Sequence, residues 1–254
     1  MTYRLKKEKK YSYIEAGEGT PIVVLHGLMG GLSNFDAVIN FFSKNGYQVI
    51  IPELPIYTMS LLKTNVKSFA KYLHDFIELK GFENVILLGN SLGGHIGLYH
   101  TKLHPEKIKA LIITGSSGLY ESAMGGGYTK RGDYEVIKKK AEDVFYDPAV
   151  ATKEIVDEVY ETVNDRSKLI KTLAIAKSAI RHNMAKDLPK MKTPTCIIWG
   201  KNDTVTPPEV AEEFNSLLPD SELFWIDKCG HAAMMEHPEE FNEVLNNWLQ
   251  KRGF

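Results

Sequence analysis

A serine between two glycines is the feature of this sequence with the most direct chemical meaning. Residues 89–93 read Gly-Asn-Ser-Leu-Gly, directly after the apolar run at 85–88 and before a segment of helical period. At a sharp turn from strand to helix such a serine exposes its hydroxyl, and the glycines let the two elements approach closely. The pattern predicts that Ser91 is a nucleophile. Because a serine hydroxyl reacts poorly at its ordinary pKa, this requires a base and an orienting acid elsewhere in the chain.

Both partners follow later apolar runs. Asp203 comes after the run at 196–199, and His231 comes after the run at 223–226. The carboxyl ends of parallel strands meet at one edge of a sheet, so both side chains should emerge beside Ser91. Serine, aspartate, histidine is also a known chain order for such triads. We therefore expect His231 to act as general base and Asp203 to orient its imidazole.

Competing residues are less well positioned. Residues 115–118, after the sixth predicted strand, contain no carboxylate that could replace Asp203. His26 is expected to be structural and to hydrogen-bond the loop that carries Leu28. Five further histidines lie on helical segments or at a helix start: His74, His95, His100, His104 and His237.

Acyl transfer also needs hydrogen-bond donors for the oxyanion, and backbone amides can supply them. Leu92 follows the nucleophile at a predicted helix N-terminus, and Leu28 follows the first buried strand, so we predict these two amides. Asn34 and Asn90 are open between contacting the substrate and serving the structure. This chemistry requires no metal and no organic cofactor, and neither cysteine lies in metal-site spacing.

The elements that would carry these residues alternate between short apolar runs and segments of helical period. The alternation predicts an α/β fold with a mostly parallel sheet covered on both faces. The run at 85–88 has no polar alternation, so it should lie near the centre of the sheet. From about 118 to 189 three helical patterns follow one another without a convincing strand. We therefore predict a core of residues 1–117 and 190–254 with an inserted helical cap at 118–189.

Composition narrows the class of protein. The chain has 254 residues, of which 43% are hydrophobic, as in a globular domain. Its 31 basic and 32 acidic residues give a net charge of −1, so the protein lacks the positive electrostatic field that would bind a nucleic acid. The short basic runs at 6–10 and 138–140 are interpreted as solvated faces. Two cysteines and the lack of a signal or membrane-spanning segment favour the cytoplasm and no membrane partner. The expected partner is a small molecule, and the oligomeric state is left open.

Taken together, these motifs resemble the α/β-hydrolase superfamily. The resemblance covers essentially the whole chain and rests on residues 13–19, 25–27, 89–94, 199–203 and 230–231. It implies a mostly parallel eight-stranded sheet with a helical cap after the sixth strand. It also implies Ser91 as nucleophile, His231 as base and then acid, and Asp203 as the residue that orients the imidazole.

Within the superfamily the chain is similar to enzymes that hydrolyse carbon–carbon bonds in products of aromatic-ring cleavage, at residues 30–34, 89–91 and 145–148. Those enzymes place a substrate-binding arginine in the second cap helix and a tryptophan after the catalytic histidine. Here 155–163 has no arginine and Ala232 follows His231. The missing arginine favours a neutral substrate.

We therefore predict a serine hydrolase that cleaves a small carboxylic ester through an acyl-enzyme. Carbon–carbon hydrolysis is the alternative. Thioester or lactone cleavage and a non-catalytic ligand-binding role on the same fold also remain open.

Overall fold

The computed structural model describes residues 3–120 and 130–254. Its strands form one eight-stranded sheet in the order β1-β2-β4-β3-β5-β6-β7-β8. β2 pairs antiparallel with β1 and with β4, and all the other neighbouring strands are parallel. The predicted α/β fold with a mostly parallel sheet is confirmed. The strands are β1 (Lys6–Glu8), β2 (Tyr11–Ala16), β3 (Thr20–Leu25), β4 (Tyr47–Pro52), β5 (Val85–Asn90), β6 (Ile108–Thr114), β7 (Thr195–Gly200) and β8 (Ser221–Ile226).

The central position predicted for β5 is confirmed. All of its residues are buried, and it lies between β3 and β6. Its side chains alternate between two hydrophobic clusters, with Val85 and Leu87 on one face and Ile86 and Leu88 on the other. A strand covered on both faces must be apolar throughout, which explains the uninterrupted apolar run.

Helices cover both faces of this sheet. Residues of α2, α3 and α7 pack into one cluster, and residues of α1, α8 and α9 pack into the other. α2 ends at Gly81, whose φ of 64° is the left-handed conformation expected of a C-terminal glycine. The helices outside the insertion are α1 (Asp36–Phe42), α2 (Val66–Lys80), α3 (Leu92–Leu103), α7 (Pro208–Leu217), α8 (Ala233–Glu236) and α9 (Pro238–Lys251).

Between β6 and β7 the described chain forms α4 (Tyr134–Glu142), α5 (Lys153–Asn164) and α6 (Arg166–Arg181), with no strand in residues 130–189. The carboxylate of Asp165 caps α6 by accepting hydrogen bonds from amides of its first turn. Helices thus form where the periodicity predicts them. The domain boundaries at 117/118 and 189/190 stay a prediction. The glycine run at 125–127, which is typical of a loop, and Met124, whose role the sequence leaves open between pocket lining and core, lie outside the described residues.

The chain segments that enter and leave this insertion are hydrogen-bonded to each other and to α3. The Met184 amide donates to the Gly118 carbonyl over 2.8 Å. A ring nitrogen of His95, on α3, hydrogen-bonds a ring nitrogen of His182 at the end of α6 over 2.9 Å. Because α3 begins directly after Ser91, this bond joins the inserted helices to the helix of the proposed nucleophile.

The sequence reasoning missed β1. Its residues were interpreted only as a solvated basic face, and Lys6 and Lys7 are indeed exposed. They nevertheless pair with β2, with Lys6 opposite Tyr13. An edge strand can be charged because only its backbone is needed for pairing, and charges there oppose further association.

Candidate active site

Ser91 lies in a strained turn between β5 and α3. Its φ and ψ are 55° and −119°, a conformation that residues other than glycine rarely adopt. The Ser91 amide donates to the Thr114 carbonyl (3.0 Å), and the Ser91 carbonyl accepts from the Ser117 amide (3.3 Å). A Cβ on Gly93 would lie only 2.1 Å from the Leu25 carbonyl oxygen, so glycine is needed where α3 starts against β3. The surrounding backbone therefore maintains the strained turn.

Asp203 and His231, which the sequence predicts at one edge of the sheet, lie together beyond the ends of β7 and β8. His231 Nδ1 is 2.9 Å from Asp203 Oδ2, and their side chains are 9% and 0% exposed. Because a carboxylate only accepts, Nδ1 donates, and the lone pair of the neutral imidazole lies on Nε2. Ser91 and His231 line the same cavity. The fold thus brings the predicted nucleophile, base and orienting acid to the same end of the sheet.

Asp203 is further oriented by a residue that sequence reasoning missed. Asp203 Oδ1 accepts hydrogen bonds from the amides of Val205 (2.8 Å) and Thr206 (2.9 Å). Thr206 Oγ1 donates to Asp203 Oδ2 over 2.8 Å. Together with His231, these donors hold both carboxylate oxygens in one orientation. The available signal was local, since a loop aspartate commonly accepts from amides two and three residues later.

Asn90 also lines the cavity, but its amide nitrogen is committed to the backbone. Asn90 Nδ2 donates to the carbonyls of Thr114 and His231, each at 3.1 Å. A Cβ on Gly115 would lie 2.7 Å from the His231 carbonyl oxygen and 2.8 Å from His231 Nδ1. Asn90 and Gly115 thus fix the loop that carries His231. Of the two roles left open for Asn90, these hydrogen bonds support the structural one.

The amides predicted to form the oxyanion hole belong to residues that line the same cavity. Leu92 is the first residue of α3, where amides have no acceptor within the helix. Leu28 follows Gly27, and a Cβ on Gly27 would lie 3.2 Å from the Ser91 Cβ. The loop of Leu28 therefore passes directly beside the serine.

His26 supports that loop, as expected. Its Nε2 accepts a hydrogen bond from the Leu54 amide over 3.0 Å, so the proton of the neutral ring is on Nδ1. His26 Nδ1 in turn donates to the Gly27 carbonyl over 2.9 Å. Burial lowers the pKa of His26, which keeps the ring neutral and this arrangement intact.

The cavity at Ser91 has a volume of about 180 Å³. Loops at the sheet edge form one side of it, and α4, α5 and α6 form the other. Asn34 lies in the lining and is half-buried. Of the two roles left open for Asn34, this position is compatible with contact to a substrate. Most of the lining is apolar, and the helices contribute Ala141, Ile155, Val159, Ile175, Ala176 and Ile180.

Charged side chains in the lining were not predicted. Lys140 on α4 and Glu158 on α5 both border the cavity. Lys140 belongs to the run at 138–140 that was interpreted as a solvated face. The helical period was the missed signal, because Lys140 lies three residues after buried Ile137 and next to buried Ala141. The expectation of a neutral substrate rested on a missing arginine and did not consider this lysine.

A sequence model of the alpha/beta hydrolase fold matches residues 20–133 and 135–238. The chain belongs to this family. Its relatives are named hydrolases, and it is accordingly an α/β-hydrolase enzyme.

The chain is similar to 2-hydroxy-6-oxo-6-(2'-aminophenyl)hexa-2,4-dienoic acid hydrolase of Metapseudomonas resinovorans, at 30% identity over 95% of this chain and 88% of that protein. It is also similar to the solved structure of an alpha/beta hydrolase enzyme from a sediment metagenome of the Mar Chica lagoon, Morocco. That pair has 65% identity and a TM-score of 0.83, over 99% of this chain and 100% of the other. A serine hydrolase involved in carbazole degradation has 27% identity and a TM-score of 0.82, over 98% and 99%.

Within residues 3–120 and 130–254, no group of three or more His, Cys, Asp or Glu side chains is arranged to hold a metal ion. In the same part of the chain, no helix has the length and apolar character needed to cross a membrane.

Proposed function

We propose that this α/β hydrolase is a serine hydrolase that cleaves small carboxylic esters. The observation that carries the proposal is the 2.9 Å contact between His231 Nδ1 and buried Asp203 Oδ2, with His231 and Ser91 lining the same cavity. A histidine oriented in this way has its basic nitrogen available for the serine proton. The strained backbone of Ser91 supports the same role, because such strain concentrates at functional residues.

The reaction would proceed in two steps. Ser91 Oγ attacks the ester carbonyl while His231 Nε2 takes the hydroxyl proton, and the Leu28 and Leu92 amides donate to the oxyanion. The bond to the alcohol breaks, and His231 returns the proton to the leaving oxygen. A water molecule then loses a proton to His231 and attacks the acyl carbon. The acid departs and Ser91 regains its proton.

The cavity favours a short acyl group. An apolar cavity of about 150 Å³ is large enough for one benzene ring. The cavity at Ser91, at about 180 Å³, would accept an acyl chain of a few carbons or a single ring. We therefore expect kcat/KM to be highest for p-nitrophenyl acetate or butyrate and to fall for octanoate.

Replacement of Ser91 tests the proposal. Ser91→Ala should abolish both turnover of p-nitrophenyl butyrate and labelling by a serine-directed phosphonate. Ser33→Ala is the matched control, since it removes an exposed serine from the loop that follows Leu28. Wild-type turnover by Ser91→Ala would refute the mechanism. Binding of an ester by the wild-type protein with negligible turnover would instead support a non-catalytic role.

Carbon–carbon hydrolysis is a second candidate. It is supported by the name of the Metapseudomonas resinovorans relative and by Lys140, a cation in the cavity lining that suits a substrate carboxylate. The coloured dienoate products of aromatic-ring cleavage should then lose their absorbance in the presence of the enzyme. Lys140→Met should raise KM for those compounds while leaving KM for neutral esters unchanged. Ester turnover without any dienoate turnover would leave only the first proposal.

We further propose a cytoplasmic location and a cap formed by residues 118–189. Both cysteines are free and buried, which suits a reducing compartment. Cell fractionation with an antibody tests the location. Limited proteolysis tests the cap, because cleavage should concentrate near residues 118 and 189.

A further inference from the structure

The charges on α6 are all of one sign. The sixteen residues Arg166–Arg181 include five basic side chains and no acidic one. This local excess contrasts with the net charge of −1 of the whole chain. The basic residues are Arg166, Lys168, Lys171, Lys177 and Arg181.

The outer face of α6 is also apolar. Ile170, Leu173 and Ile180 are 43%, 40% and 51% exposed. Their spacing of three and seven residues places them on one side of the helix, together with exposed Lys177. An exposed apolar stripe bordered by basic residues is the pattern of helices that lie in a membrane interface.

A neighbouring segment has the same character. Residues 57–67 contain no acidic residue, and they expose Leu61, Leu62 at 93%, Lys63 and Lys67. This segment is fastened alongside α6, because Lys171 Nζ donates to the Tyr57 carbonyl over 2.7 Å.

Acidic groups near α6 only partly offset this charge. Asp165 is engaged in capping the helix, and α5 exposes Glu154, Glu158 and Glu161. Asp187, which follows α6, pairs with Lys102 on α3 at 2.8 Å. α6 and residues 57–67 together carry seven basic side chains, of which five are exposed, and α5 with the α6 cap exposes four acids. None of these acids lies within α6 or within residues 57–67.

The apolar stripe reaches the cavity at Ser91. Ile180 belongs both to the exposed face of α6 and to the cavity lining, next to Ala176. An apolar compound held at this face would therefore be adjacent to the route into the cavity.

We propose that the surface formed by α6 and residues 57–67 docks on an anionic lipid surface. The exposed basic side chains interact with the lipid phosphates, and Ile170, Leu173 and Leu62 enter the apolar edge of the headgroup layer. The sequence predicts no membrane partner because it contains no spanning segment and almost no net charge. Peripheral docking needs neither feature, only a local charge pattern.

Co-sedimentation with vesicles tests this proposal without any turnover. The full chain should bind vesicles of phosphatidylcholine with phosphatidylglycerol and not vesicles of phosphatidylcholine alone. Binding should be lost when sodium chloride is raised from about 0.1 M to about 0.5 M, because salt screens the attraction. The measurement does not depend on ester hydrolysis, so failure of one proposal leaves the other intact.

Variants identify the surface. Each basic side chain near an anionic surface strengthens binding about fivefold, so Lys177→Glu with Arg181→Glu should weaken it at least about 25-fold. Ile170→Ser with Leu173→Ser should weaken it without changing its salt dependence. Lys7→Glu with Lys44→Glu makes the same change in net charge at exposed lysines away from α6 and should leave binding unchanged.

Circular dichroism checks that each variant is folded. Equal binding to both vesicle types, or equal losses in the α6 and control variants, would overturn the proposal. Binding to immobilised polyglutamate but to neither vesicle would also overturn it and would indicate an acidic protein as the partner.

Discussion

The two sides of the cavity differ in the interactions that position their side chains. One side is the sheet edge with Ser91, Asp203 and His231, and the other is formed by the helices that face it. At the sheet edge, backbone groups and fixed hydrogen bonds position every proposed catalytic side chain. Asp203 accepts from two amides, a threonine hydroxyl and His231. Across the cavity, α4, α5 and α6 present mostly apolar side chains whose positions depend on helix packing. The comparison suggests that one side of the cavity sets the reaction and the other selects the substrate.

The largest expected effect is on the sheet-edge side. Asp203→Asn should lower kcat about 10⁴-fold, because an amide favours the wrong tautomer of His231 while keeping the shape of the side chain. Ester hydrolysis measures the loss, and circular dichroism checks the fold. Asp227→Asn is the matched control, since Asp227 is an exposed loop aspartate that pairs with Lys201 at 3.5 Å. A loss below tenfold in Asp203→Asn would show that Asp203 does not orient the base.

A second prediction separates positioning from substrate contact. Asn90→Ala should lower kcat about 100-fold and change KM less than twofold, because a misplaced His231 loop costs catalysis and not binding. Asn34→Ala is the comparison, since Asn34 lines the cavity and makes no side-chain hydrogen bond within the described residues. It should raise KM and leave kcat nearly unchanged. Steady-state kinetics on both variants would contradict this division if Asn90→Ala mainly raised KM.

Acid should lower the free energy of unfolding through two buried histidines on α3, the helix that follows Ser91. Burial lowers the pKa of His95 and of His100 to about 3, with the neighbouring imidazoles His182 for the first and His104 and His74 for the second acting in the same direction. Both groups bind a proton near pH 6.5 when the chain is unfolded and only near pH 3 when it is folded. The contribution of these two histidines to the free energy of unfolding should therefore be constant above about pH 6.5. It should fall as pH decreases towards 3, by about 1.4 kcal/mol per pH unit for each histidine.

Urea unfolding between pH 7.5 and 4.5 measures this slope. His100→Leu should remove the contribution of one histidine to this slope. That contribution is a change of about tenfold in the unfolding equilibrium constant per pH unit. Thr101→Val serves as the control, because Thr101 is a buried residue of the same helix that carries no titrating proton, so its removal should leave the slope unchanged. Identical slopes for the wild type and His100→Leu would rule out this role of His100.

The smallest effect concerns the helices. Ala176→Leu adds volume to the cavity lining and should lower kcat/KM for p-nitrophenyl butyrate about tenfold, with less than threefold change for the acetate. Ala174→Leu makes the same substitution on α6 at a half-buried position outside the lining and should alter neither. If Ala176→Leu lowered kcat/KM equally for both esters, α6 would influence the reaction itself. The two sides of the cavity would then not have separate roles in catalysis and in substrate selection.

The two sides also differ in how far the sequence predicts them. Residues 89–93 and the loops of Asp203 and His231 could be found because a tight turn restricts residue type and parallel strands share one edge. The contribution of Thr206 was missed because a threonine near an aspartate has many roles, although the local spacing was informative. Lys140 was missed because a lysine run was assigned to solvent without applying the helical period to each member.

Contacts between segments that are far apart in the sequence were harder to predict. The bond between His95 and His182 joins residues 87 positions apart, and no motif connects them. The volume of the cavity depends on the packing of α4, α5 and α6, which the periodicity of each helix alone does not determine. The excess of basic residues in α6 is present in the sequence. It was missed because only the net charge of the whole chain, which is close to zero, was considered.

The imidazole pair of His95 and His182 has a consequence for how this enzyme could change. His182 terminates the helix that lines much of the cavity, and His95 is on the helix that starts at Ser91. Substitutions that move the end of α6 to admit a new substrate would therefore also disturb the serine turn. New specificities should be reached most easily through residues of α4 and α5, and laboratory evolution of substrate range should enrich changes there while retaining both histidines.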